Sequence, residues 1–335
     1  MPERQQGRPS DTKGYKNCPE KPKTFREVEW YQRFPSALFK PSMISSRHTK
    51  MLLLGTATAL TILQLRLVWN IGQVKGLEPY VLCYTTVWFM MWRKRDALRP
   101  VTINSLQLKG KLQHKIFANI IGFAFIFWVV YRSNLTVSYD SALRLFPVVS
   151  GLGLVLIAFG FSQLKSYWRE LLVLGFLMLP ATTITELFDI SYATATLSGN
   201  LLWYSGFPVI QEGTKLMLPT GFVDVYSGCS GIQSIWQLLT LSFLFTMLFP
   251  MGWVQASLLP IAAIAVAFFV NGIRVALMAV LFAQANESAF DYWHLGDGSQ
   301  IFSMVAVLLF SGVCYGFLEQ LEPPVADAQP TEQDS

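Results

Sequence analysis

Apolar residues run along this chain in unbroken blocks rather than in stripes. Eight blocks stand out, at residues 51–69, 79–92, 116–131, 145–163, 170–187, 230–249, 253–283 and 300–318, each bounded by polar or charged stretches. About 20 residues of α-helix, rising 1.5 Å per residue, cross a hydrocarbon layer, and most of the blocks reach or approach that length. Blocks 79–92 and 116–131 are short, and their ends draw on flanking Trp and Tyr residues. Alternation at period two is absent, and the blocks are too long for barrel strands. The pattern predicts an all-α polytopic membrane protein of about eight transmembrane helices, with the lipid bilayer as its solvent.

Composition agrees: of 335 residues, 52% are hydrophobic and 14% charged, against about 25% charged in a soluble domain. The charges are crowded. Residues 1–50 hold eleven Lys/Arg and five Asp/Glu, whereas residues 319–335 hold five acids and no base. Short basic loops stay in the cytoplasm. With the N-terminus inside, the basic tail, the loop 93–115 and the Lys165/Arg169 turn all fall inside, together 20 of the 26 basic residues. One registry satisfies every cluster, so both termini are expected in the cytoplasm, and the loops 70–78, 132–144, 188–229 and 284–299 outside. The net charge of +5 then reports on orientation, and nucleic acid is not an expected partner. The first apolar block begins near Met51, which leaves no visible cleavable signal peptide. The expected organisation is a basic, largely disordered cytoplasmic tail over 1–50, a transmembrane catalytic domain over 51–318, and an acidic, disordered cytoplasmic tail over 319–335. The sequons at Asn134 and Asn286 read as chance.

Polar groups at membrane depth are costly and tend to be functional, so the reactive side chains that share one depth carry the chemistry. Cys229 lies in Val225-Tyr-Ser-Gly-Cys-Ser-Gly-Ile232, at the entry to the block 230–249. Gly228 and Gly231 flank the thiol and allow a sharp turn or a close substrate approach. A helix N-terminus favours a thiolate and offers free N–H groups to an oxyanion. Arg274, in Asn271-Gly-Ile-Arg274, lies 21 residues beyond Trp253. That is roughly 31 Å along a helix, about one hydrocarbon thickness, which puts Arg274 at the outer boundary beside Cys229. It is also the single charge in the 62 residues from Val225 to Asn286. His294 lies in Asp291-Tyr-Trp-His-Leu-Gly-Asp-Gly-Ser299, in the outer loop before the last block, where Asp291 or Asp297 is placed to orient it. The bland readings are a packed or disulfide-bonded cysteine, a snorkelling arginine and a solvated histidine. Together, however, a thiol, an imidazole and a guanidinium on one face suit nucleophilic attack on an acyl carbon. One Cys and one His leave a zinc site two ligands short, and the motifs call for no cofactor and no metal.

These residues resemble the signature of the exosortase/archaeosortase family of membrane transpeptidases. The matching pieces are Cys229-Ser-Gly-Ile, preceded by Gln211-Glu-Gly-Thr-Lys-Leu-Met-Leu-Pro219, then Asn271-x-x-Arg274-Val, then His294, the motifs lying within 209–300. The His294-Leu-Gly-Asp-Gly-Ser segment looks most like the cyanobacterial branch, the cyanoexosortases, and the A-type among them. The resemblance implies a multi-pass enzyme of the inner (plasma) membrane whose active site faces the periplasm. Its partners would be exported proteins ending in a Pro-Glu-Pro type motif, a hydrophobic helix and a basic cluster. It would cleave near the motif and pass the acyl group to an acceptor amine. By the same resemblance Cys229 is the nucleophile, His294 the acid/base and Arg274 the stabiliser.

For segment 188–228 the expectation is an interfacial helix followed by a short hairpin over the site, with an ordinary long loop as the alternative. Two rival classes remain. A transporter would use Arg274 and His294 in a solute pathway and would need further midplane polar residues besides Gln237, Thr240 and Thr246. A scaffold would tie Cys229 to Cys83, the one other cysteine expected on the outer side.

Overall fold

Inside hydrocarbon every backbone N–H and C=O must be satisfied within its own segment, and the apolar blocks accordingly form helices. The computed structural model describes residues 47–72, 77–94, 108–135, 141–180, 186–294, 296 and 298–320. The two expected tails lie almost wholly outside these residues, as do Cys18 and the middle of the basic loop 93–115. The chain opens with α1 (Arg47–Gly72), α2 (Glu78–Lys94), α3 (Leu108–Ser133) and α4 (Ser141–Phe159). A 3₁₀ turn (Phe161–Tyr167) leads into α5 (Trp168–Phe176). There follow α6 (Ser191–Tyr204), three strands, α7 (Ile232–Leu248), α8 (Trp253–Ala283), α9 (Glu287–His294) and α10 (Gly298–Glu319). Among the described residues five helices are long and apolar enough to cross a membrane, and Ile232–Leu248 is a shorter apolar one.

The block 170–187 departs from expectation. Its α-helix is only nine residues long and stops at Phe176. Leu177, Met178 and Leu179 are as apolar as a span requires, but Leu179 precedes Pro180, which disfavours helical backbone in the residue before it. Composition is blind to that stop.

The two ends of the bundle differ. At one end the Lys94 ammonium donates to the Ser166 carbonyl at 2.8 Å and pairs with the buried Glu170 at 2.6 Å, while Arg93 donates to the Leu248 carbonyl. The C-termini of α2 and α7 and the start of α5 therefore share one basic end, as the charge pattern requires of one membrane side. Cys229, at the other end of α7, is separated from it by 17 helical residues, roughly 25 Å. The Thr240 and Thr246 hydroxyls of α7 donate to the carbonyls of Trp236 and Ser242 one turn back. They are satisfied within their own helix.

The central helix is α8, whose 31 residues span about 46 Å, well beyond the roughly 30 Å of hydrocarbon. Ala263 and Ala267 are fully buried, and small residues let α7 and α10 approach closely. Its C-terminal third begins near Gly272. There α6 packs against it, with the Ser198 hydroxyl donating to the Gly272 carbonyl at 3.0 Å. The expected hairpin is instead a three-stranded antiparallel meander, β1 (Ile210–Glu212), β2 (Lys215–Leu218) and β3 (Gly221–Asp224), with Leu216 opposite Val223. A third strand forms because β2 can bury Leu216 completely between the sheet, α6 and α8. Thr220, in the β2–β3 turn, donates to the Ala283 carbonyl and closes the end of α8.

Candidate active site

Residues 226–231 turn the chain from the sheet into α7. The Cys229 amide donates to the Tyr226 carbonyl at 2.8 Å, a four-residue turn with Ser227 and Gly228 at its centre. Gly231, the residue before α7, has φ +88°, and a Cβ there would lie 2.5 Å from the Asn271 amide nitrogen. Only glycine meets both conditions. The turn is then held from two sides. Asn271 of α8, itself buried, donates from Nδ2 to the Cys229 carbonyl at 2.9 Å, and Thr194 of α6 donates to the Ser230 carbonyl at 2.8 Å. Cys229 thus stands just before the helix rather than within its first turn, on a backbone whose carbonyls are tied down.

His294 is the last residue of α9, a short helix where the sequence predicts a loop. Asn286 caps it, accepting from the Ala289 amide at 3.1 Å and from the Ser288 hydroxyl. The imidazole packs on Phe290 (ring centroids 5.1 Å), which meets Phe282 of α8 edge-on. This aromatic column aims Nε2 at the Cys229 sulfur, 3.5 Å away. Arg274 donates from one terminal nitrogen to the backbone carbonyl of His294 at 3.0 Å, and its Nε has no acceptor among the described residues. Cys229, Arg274 and His294, predicted from three separate segments, are therefore brought together.

Burial and then the neighbouring guanidinium of Arg274 pull the His294 imidazole below its ordinary pKa, against the Asp291 carboxylate, which raises it. Of the two acids expected to orient His294, Asp291 acts through charge, and Asp297 lies outside the described residues. A cavity of about 180 Å³ opens beside the pair, walled by Phe222 and Val225 from the sheet end, Val275 and Met278 of α8, and Phe290 of α9. Its surface is apolar apart from Asp224, Tyr226 and the Cys–His pair.

The scaffold reading required a Cys83–Cys229 bridge. Both are free thiols, and they lie in separate cores, Cys83 among Tyr80, Phe146 and Val173, Cys229 among Leu216, Val225 and Val275. Two residues of the site lie in the motifs but carry no role there: Asn271, which holds the Cys229 backbone, and Tyr226, which opens the Cys229 turn and lines the same cavity. Asn271 carried a signal in the sequence, as an amide one helical turn before Arg274 in an otherwise apolar block.

Comparison with known proteins adds an independent result. The family model of the transmembrane exosortases (Exosortase_EpsH) matches residues 75–311, more than half of the chain. No curated protein and no solved structure matches. The chain belongs to the transmembrane exosortase family.

Proposed function

We propose that this exosortase is a membrane-embedded cysteine transpeptidase that removes the C-terminal sorting tail of exported proteins. The observation that carries the reading is the 3.5 Å approach of the Cys229 sulfur to His294 Nε2 on the wall of an apolar cavity. The lowered imidazole pKa favours neutral His294, the form a base requires. His294 takes the thiol proton as sulfur attacks the scissile carbonyl, and returns it to the departing amine. A thioester on Cys229 remains. An acceptor amine then attacks the thioester carbon, losing a proton to His294, and the sulfur leaves as the thiol. Arg274 fixes the His294 backbone and supplies positive charge beside the reacting atoms.

The substrates are exported proteins whose tail carries a Pro-Glu-Pro type motif, an apolar helix and a basic cluster. The location is the inner (plasma) membrane, with the site on the periplasmic face. The grouping of basic side chains at the end of the bundle away from Cys229 supports that orientation. The cyanobacterial, A-type assignment rests on the His294-Leu-Gly-Asp-Gly-Ser segment.

Co-expression with a tail-bearing substrate tests the reading. The wild-type chain shortens the substrate, and Cys229→Ala, His294→Ala and Arg274→Ala each leave it full length. Normal processing by Cys229→Ala would remove the mechanism.

A further inference from the structure

An attacking thiolate turns the scissile carbonyl into an oxyanion, which needs a hydrogen-bond donor aimed at it. Arg274 is the obvious candidate, yet its terminal nitrogen donates to the His294 backbone carbonyl. A second donor lies in the nucleophile's own turn. Tyr226 and Cys229 are its first and fourth residues, closed by the 2.8 Å backbone bond, and both line one cavity. The Tyr226 ring folds back across the turn. A Cβ on Gly228 would lie 2.5 Å from the ring, so glycine at that position is what admits it. The same cavity is lined by Tyr226, Cys229 and His294, which places the phenol and the imidazole around one reacting centre.

We propose that Tyr226 is a further catalytic residue, whose phenol donates a hydrogen bond to the Cys229 sulfur at rest and to the acyl oxygen during attack. This rests on the cysteine transpeptidase reading above. The thiol proton passes to His294 Nε2 and the sulfur–carbon bond forms. The carbonyl π pair moves to oxygen, where the Tyr226 O–H holds it without giving up its proton. Collapse restores the carbonyl and expels the amine, protonated by His294. A donor in this role must keep its proton. The contact with Cys229 indeed pushes the phenol above its ordinary pKa, more than the Arg274 charge draws it down.

Tyr226→Phe keeps the ring over Gly228 and removes only the hydroxyl. In the full-length chain it is expected to slow tail processing about 100-fold, the scale of losing one oxyanion donor. A second readout needs no substrate. Iodoacetamide alkylation of the Cys229 peptide, followed by mass spectrometry across pH, should move its midpoint upward in Tyr226→Phe, because the thiolate has lost a donor. Gly228→Ala, which displaces the ring, should act in the same direction, whereas Gly312→Ala, in open space on α10, should do neither. Wild-type processing by Tyr226→Phe, with Cys229→Ala inactive, would overturn the role of Tyr226 alone. Processing by Cys229→Ala would overturn the transpeptidase reading and the role of Tyr226 with it. An unmoved alkylation midpoint would overturn the resting hydrogen bond.

Discussion

In the proposed mechanism His294 is a base only while neutral, so the groups that set its titration set the acidic limit of activity. Burial and the Arg274 guanidinium disfavour the imidazolium, and Asp291, one turn earlier on α9, favours it. The acidic limb of the kcat/KM profile reports the free-enzyme base and should lie below the ordinary histidine value of about 6.5. Asp291→Asn removes the group that stabilises the charged form. The limb should therefore move to still lower pH while the plateau at neutral pH changes little. An upward shift in a pH–rate series would show that Asp291 does not act on His294. The scarcity of charge made Arg274 conspicuous in the sequence, but this balance of three groups was not legible there. It depends on α9, which brings Asp291 and His294 onto one short helix.

At the scale of elements, the proposed nucleophile Cys229 is placed by a turn gripped between two helices. Asn271→Ala would leave the Cys229 carbonyl without its donor in a buried setting, a loss of about 1–3 kcal/mol. Thr194→Val would do the same to the Ser230 carbonyl. Both should lower the unfolding temperature in detergent and slow processing. Gly231→Ala should do so more severely, because it combines a left-handed φ with a clash on Asn271. Equal stability of Asn271→Ala and wild type would mean that the turn is held by something else. These contacts explain where sequence reading stopped. The length of an apolar block reports a membrane span, and it gave α8 to the residue and α10 to within two, while α1 runs three to four residues further at each end. It carries no information on a bond such as Asn271 to Cys229, between residues 42 positions apart. The short elements were missed for a related reason: α9 has eight residues and its signal is the single cap Asn286, while α5 ends on the local stiffness ahead of Pro180.

Across the whole molecule, the bundle separates a basic end from a reactive end. The separation was legible because charge placement alone fixed a consistent registry, and the ion pair of Lys94 with Glu170 and the reach of Arg93 to Leu248 bring those segments together. A single cysteine introduced at Ser288 in a cysteine-free background should react with a membrane-impermeant maleimide added to whole cells, and one at Ser166 should react only after lysis. The reverse pattern would invert the proposed orientation. The same separation predicts that stability and chemistry respond independently to changes at the basic end. Glu170 is almost wholly buried, and Lys94 is about one-fifth exposed, at 21%. Lys94→Met removes the ion-pair partner of the carboxylate and leaves it with the neighbouring charge of Arg169, at a cost below the roughly 3 kcal/mol of a fully stranded buried charge. Thermal unfolding should register that loss. The pH profile of the folded enzyme should not move, because the mutation lies roughly 25 Å of helix away from Cys229 and the groups that tune His294 are untouched. A shifted acidic limb in Lys94→Met would show that the two ends of the bundle are electrostatically coupled.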